Sequence, residues 1–166
     1  MGNGRTEVQV SGLGVDGANT PVVLLQELNG DRVLPIWIGY AEANAIAMVL
    51  QGKKAERPLT HDLMKSIVNA LNVKVTRVLI SDLKDNTFYA KIFLESDGSI
   101  FSIDARPSDS IALALRIKAP IFVIDKVMES SGTSLKLDDS TKAEVLRNYL
   151  KQLNPEDFGK YHLGSS

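Results

Sequence analysis

The chain is predicted to fold as a single α+β domain: a mixed β-sheet built from two related strand–turn–strand–helix halves, with helices packed on it. Three features of the sequence lead there. Apolar runs of strand length alternate with amphipathic segments of helix length. Short turns rich in Asn, Asp and Gly join the strands. The order strand–turn–strand–helix occurs twice. At 166 residues the chain is long enough for one full core and too short for two ordinary domains.

The elements follow in order. Thr6–Val15 alternates as a strand does. Thr20–Leu28 and Arg32–Ile38 are apolar runs around Asn29-Gly30-Asp31, a hairpin signal. Ala41–Gln51 has helical spacing, with Ala43, Ile46, Ala47 and Leu50 on one face. Thr60–Leu71 is a second helix expected to bury Leu63, Met64, Ile67, Val68 and Leu71, with Thr60 as its cap. Val73–Leu83 and Thr87–Glu95 form strands joined by Lys84-Asp85-Asn86, and Phe88, Ala90, Ile92 and Leu94 share a face. Ser96-Asp97-Gly98 turns into the strand Ser99–Ala105, whose Phe101, Ile103 and Ala105 belong to the apolar side. Ser108–Lys118 is the third helix, with Ser108 as its expected cap, and Pro120–Ile124 a short strand. Residues 1–135 are assigned to this domain. Residues 136–166 hold a further amphipathic helix, Asp139–Leu153, and a tail.

The repeat aligns Ile46 and Leu50 of the first helix with Ile111 and Leu115 of the third. In that register Asp104 stands against Gly39 and Pro107 against Glu42. An acidic cluster is then expected in the second half only.

Composition narrows the classes. Hydrophobic content of 44% and charged content of 23% are ordinary for a soluble globular chain. No apolar run reaches membrane-spanning length, and the first ten residues lack a signal-peptide core. The chain has no cysteine, which removes disulfide and thiolate chemistry and suits a reducing cytoplasm. A net charge of −1, from 19 basic and 20 acidic residues, argues against constitutive tight binding to polyanions. Val49, Leu50 and the C-terminal helix offer more apolar surface than one small monomer needs, so a homodimer is expected.

The chemistry concentrates where strand Ser99–Ala105 meets the third helix. Asp104, Arg106 and Asp109 lie at a helix N-terminus, where free N–H groups and the dipole favour anions. Two carboxylates there suit Mg²⁺ or Mn²⁺, and the guanidinium suits bidentate contact with a phosphate. The same residues also suit capping and ion pairing. Arg57-Pro58-Leu59-Thr60-His61-Asp62 is a second Arg-Pro block opening a helix, with His61 and Asp62 expected in its exposed first turn. An imidazole there is a candidate base, because histidine titrates near neutrality. Lys84, in an acidic turn, and Arg57 are candidate substrate contacts. Glu42 is either a dipole partner of its helix or one more oxygen ligand. With two histidines in the chain, a multi-histidine zinc site is excluded within one copy. Gly12-Leu13-Gly14-Val15-Asp16-Gly17 spells a dinucleotide fingerprint, yet a strand follows where that fingerprint needs a helix. No nucleophile with a histidine and acid in recognisable order is present.

Four blocks carry a family resemblance: LPIWIGYAEANAIA (Leu34–Ala47), RPLTHDL (Arg57–Leu63), LKDNTFYA (Leu83–Ala90) and DARPSDSIALALR (Asp104–Arg116). Together they resemble the bifunctional nuclease family over roughly Val8–Glu129. The resemblance implies a small α/β domain acting on DNA and RNA as substrates. Residue chemistry then sets the expected roles. Asp104 and Asp109 would hold the metal, Arg106 would bind the scissile phosphate, and His61 or Asp62 would position water. The competing expectation is a non-catalytic regulatory or anion-binding homodimer.

Overall fold

The computed structural model describes residues 4–134. The helix expected at Asp139–Leu153 and His162 lie outside them. The fold is α+β. Strands β1 (Arg5–Val15), β2 (Pro21–Glu27) and β3 (Arg32–Trp37) form one antiparallel meander, followed by helix α1 (Tyr40–Leu50). Helix α2 (Thr60–Ala70) leads to a second meander, β4 (Lys74–Lys84), β5 (Thr87–Ser96) and β6 (Ser99–Ala105), followed by α3 (Pro107–Ile117). Strand β7 (Ile121–Ile124), α4 (Asp125–Ser131) and β8 (Thr133–Ser134) complete the described chain.

The sheet order is β6-β5-β4-β7-β1-β2-β3-β8, so the two meanders extend in opposite directions from β7. Strand β7 runs parallel to β4 and antiparallel to β1. The internal repeat is therefore real, but its register differs from the one read in the sequence. Helices α1 and α3 begin and end 67 residues apart, Tyr40 against Pro107 and Leu50 against Ile117. In this register Glu42 matches Asp109, both in the first turn of their helix. The acidic position is thus present in both halves.

Turn chemistry sets the strand pairing. Asp85 and Asn86, and likewise Asp97 and Gly98, all have positive φ. They close two-residue hairpins whose twist matches that of the flanking strands. Gly12–Val15 lies within β1, and the turn after it is built by Asp16. Asp16 is buried. Its Oδ1 accepts the N–H groups of Ala18 and Thr20, and its Oδ2 accepts the Trp37 indole N–H at 2.9 Å. Burial alone would raise its pKa. Those three donated bonds outweigh burial and hold the group below the usual carboxylate value. This fixes Trp37 at the end of β3.

Expectations about two helix faces, two helix caps and one strand face are corrected. Leu63, Ile67 and Leu71 of the α2 region are exposed, and His61 is the buried residue of that helix. Leu59 is the N-cap instead of Thr60, so the helix starts one residue earlier and His61 turns toward α3. Met64 and Val68 supply its apolar contact with the core. Leu50 is likewise exposed, leaving Ile46 as the buried anchor of α1. In α3 the N-cap is Arg106 and Ser108 is buried within the first turn. Pro107 takes the first helical position, where its fixed φ suits the helix and its missing N–H costs nothing. Finally, Phe101 and Ile103 are half exposed, because β6 is an edge strand that the helices do not cover.

Candidate functional site

The N-termini of three helices converge at Arg106. This residue ends the β6–α3 junction, and its carbonyl is held by the Ser110 hydroxyl and N–H. Its side chain turns back over the first turn of α3. Nε donates to Asp109 Oδ2 at 2.9 Å and Nη2 to Asp109 Oδ1 at 3.2 Å. Nη1 donates to Oε1 of Glu42, in the first turn of α1, at 2.9 Å. From α2, His61 Nε2 lies 2.9 Å from Asp109 Oδ1. One aspartate thus joins a histidine and an arginine, and that arginine joins a glutamate.

The electrostatics follow from this geometry. The bond to His61, then the Arg106 pair, lowers the Asp109 pKa to about 2 against the opposing effect of burial. Asp109 is therefore a carboxylate at neutral pH. An ionised carboxylate can only accept, so His61 Nε2 carries the hydrogen of this bond and donates it to Asp109 Oδ1. Arg106 is raised above its ordinary value, chiefly by Asp109 and also by Glu42. A guanidinium has five N–H donors, and three are used here, so two remain on a side chain 59% exposed. Glu42 Oε2 is buried and has no hydrogen-bond partner among the described residues.

A cleft of about 170 Å³ opens beside this cluster, walled by Trp37, Phe88 and Pro107 with Glu42 and Arg106 as its charged groups. Thr87 also lines it, and Thr87 pairs with Lys84 across the β4–β5 turn. Lys84 therefore stands near the cleft. Its ammonium pairs with Asp82 at 3.3 Å and sits over the Tyr89 ring.

The other expected residues lie apart from this cluster. Both oxygens of Asp62 are engaged: Oδ2 accepts the Leu59 N–H, and Oδ1 accepts Arg116 Nε at 2.9 Å. Those bonds, the Leu59 N–H first, hold its pKa below the usual value. Arg116 is nearly buried and also donates to the carbonyls of Ala112 and Ala45, locking α2 against α1 and α3. Asp104 is exposed on β6 opposite Lys91 and makes no side-chain hydrogen bond or ion pair among the described residues. Arg57 is exposed in the segment before α2.

These residues do not form a ready divalent-metal site. Among the described residues no group of three or more His, Cys, Asp or Glu side chains is placed to hold a metal. Both oxygens of Asp109 are already taken, by Arg106 and His61. Glu42, which the sequence leaves open between dipole partner and oxygen ligand, belongs to the cluster; the repeat, read with a register of 67 residues, places it opposite Asp109.

The bifunctional nuclease domain is matched over residues 23–136, a span that contains every residue of this cluster. The chain belongs to the bifunctional nuclease domain family. An uncharacterized protein of Mycobacterium tuberculosis is 41% identical over 162 residues, covering 92% of this chain and 97% of that protein. Bifunctional nuclease 1 of Oryza sativa subsp. indica is 27% identical over 126 residues, 74% of this chain but 38% of the plant protein. Bifunctional nuclease 1 of Arabidopsis thaliana is 27% identical over 121 residues, 70% of this chain and 37% of that relative. The plant nucleases are thus much longer than the bifunctional nuclease domain matched here. No helix among the described residues is long and apolar enough to cross a membrane.

Proposed function

We propose that this chain is a nuclease that hydrolyses phosphodiester bonds of DNA and RNA with little sequence specificity, at the cleft beside Arg106, in a reducing cytoplasm. The observation that carries this reading is the Arg106 cluster: an exposed guanidinium fixed by two carboxylates, with two donors to spare, in a member of the bifunctional nuclease family. Arg106 binds the scissile phosphate and offsets charge that grows on its oxygens in the transition state. Asp109 and His61 hold the guanidinium in place. Glu42 Oε2 accepts the proton of the attacking water, and the leaving oxygen is protonated from solvent. Lys84, beside the cleft, extends the electrostatic contact along the nucleic-acid strand, and Asp62 positions α2 through Arg116. The apolar walls of the cleft fit loose sequence preference.

The Mg²⁺ or Mn²⁺ expected at Asp104 and Asp109 would have to displace Arg106 from Asp109, so no step is routed through it. The second reading, a non-catalytic anion-binding or regulatory protein, is favoured by one observation: Asp62 and Asp109 are fully engaged in ion pairs and hydrogen bonds. Cleavage of labelled single-stranded DNA, double-stranded DNA and RNA, each with Mg²⁺, Mn²⁺ or EDTA, decides between them. The nuclease reading expects cleavage of both DNA and RNA. Binding without cleavage under all conditions gives the second reading.

A further inference from the structure

The sheet has two edges. At one stands β8, whose Thr133 and Ser134 are the last described residues. At the other, β6 runs for seven residues with an uninterrupted register against β5, and no described residue pairs with its outer side. Natural edge strands are normally shortened, bulged, or protected by proline or lysine. Strand β6 (Ser-Ile-Phe-Ser-Ile-Asp-Ala) has no bulge, proline or lysine and a single charge, Asp104, near its end, and Ile100, Phe101 and Ile103 are 68%, 51% and 47% exposed.

We propose that β6 is the interface between two copies of this chain, paired antiparallel about a two-fold axis at Ser102 into one continuous sheet. The register follows from the hairpin. The two-residue Asp97–Gly98 turn makes Ser96 and Ser99 a hydrogen-bonded pair. Ser99, Phe101, Ile103 and Ala105 then direct their backbone groups at β5, and Ile100, Ser102 and Asp104 direct theirs outward. Centring the axis on Ser102 pairs outward groups with outward groups and engages all seven residues; any shift leaves some unpaired. It sets Phe101 of each copy opposite Ile103 of the other, an aromatic–β-branched pair of the kind that stabilises sheets. It also sets Asp104 opposite Ile100, keeping the two carboxylates apart, whereas an axis at Asp104 would force them together. Self-complementarity in hydrogen bonding, apolar pairing and charge therefore selects a second copy as the occupant. The same register brings the Asp97–Gly98 turn of one copy alongside Arg106 of the other, so each cleft borders its neighbour. The dimer stands independently of whether the cleft is catalytic.

Sedimentation of the full chain tests this, with twice the 18.1 kDa chain mass expected at tens of micromolar. Ser102→Pro removes the central outward N–H at an edge position where proline is tolerated. It is expected to give a monomer with unchanged far-ultraviolet circular dichroism. Ile103→Lys serves as the second variant should Ser102→Pro fail to fold. The chain has no cysteine, so Ser102→Cys introduces a unique thiol. Residues facing each other in a hydrogen-bonded pair have Cα atoms about 5.5 Å apart, within disulfide reach. Mild oxidation is expected to convert Ser102→Cys into a covalent dimer and to leave Lys65→Cys, exposed on α2, uncross-linked. The proposal is overturned by a monomeric wild type, by a folded Ser102→Pro or Ile103→Lys that still dimerises, or by cross-linking at position 65 instead of 102.

Discussion

Replacing Asp109 by Asn keeps the shape of the side chain and removes the charge that His61 and Arg106 share. The wild-type carboxyl falls from 3.8 to about 2 on folding. A shift of nearly two units corresponds to roughly 2.5 kcal/mol at 1.36 kcal/mol per unit. The side chain is 30% exposed, so solvent screening trims this to about 1–2 kcal/mol. For a chain of this size that lowers Tm by roughly 3–7 °C. The pH dependence has a definite sign. A carboxyl whose folded value is depressed contributes fully above its unfolded value and loses that contribution as pH falls through the folded one. The gap between wild type and Asp109→Asn is therefore expected to hold at pH 5–7 and to close between about pH 4 and pH 2. Urea unfolding of both proteins across pH 7 to 2.5 measures it. A gap under about 0.5 kcal/mol at pH 7, or one that has not narrowed by more than about half at pH 2.5, refutes the reasoning.

Other predictions follow from single groups. Asp16→Ala removes the acceptor of the Ala18 and Thr20 N–H groups and of the Trp37 indole; it is expected to cost about 2–4 kcal/mol in urea unfolding and to shift Trp37 emission, since the chain has one tryptophan. Arg116→Met leaves Asp62 and the Ala45 carbonyl without their partner, and is expected to destabilise by about 2–4 kcal/mol, read by thermal unfolding. Lys118 caps α3 with φ 62, so Lys118→Gly is expected to stabilise by roughly 0.5–1 kcal/mol in the same assay. Glu42→Gln keeps the bond to Arg106 and removes the base, so cleavage is expected to slow at least about 100-fold with Tm within a few degrees of wild type.

The fold was legible because its signals are local. Period-two runs, Asn-Gly and Asp-Gly turns and helical spacing lie within ten residues of one another, and the seven strands and three helices read from them between residues 4 and 134 are all present. The short α4–β8 segment was not read, since seven helical residues give too little periodicity to see. Helix faces were misjudged for another reason. Leu63, Ile67 and Leu71 have the spacing of a core stripe, but which stripe turns inward depends on the cap, and Leu59 holds no capping signal in its side chain. The site was partly legible. Arg106, Asp109 and His61 came from the two Arg-Pro blocks, and the structure brings them together. Glu42 was ambiguous because its contact with Arg106 spans 64 residues. Asp104 was grouped with Asp109 by proximity in sequence, yet strand geometry leaves it exposed on β6.

The central claim is that Arg106 is the phosphate-binding group of a nuclease. The direct measurement is the single-turnover rate of oligonucleotide cleavage by wild type and Arg106→Ala, purified separately, with Tm recorded for both. Cleavage by wild type that falls at least about 100-fold in a variant whose Tm stays within a few degrees is the predicted result. Equal cleavage by the two proteins, or none by wild type, contradicts it.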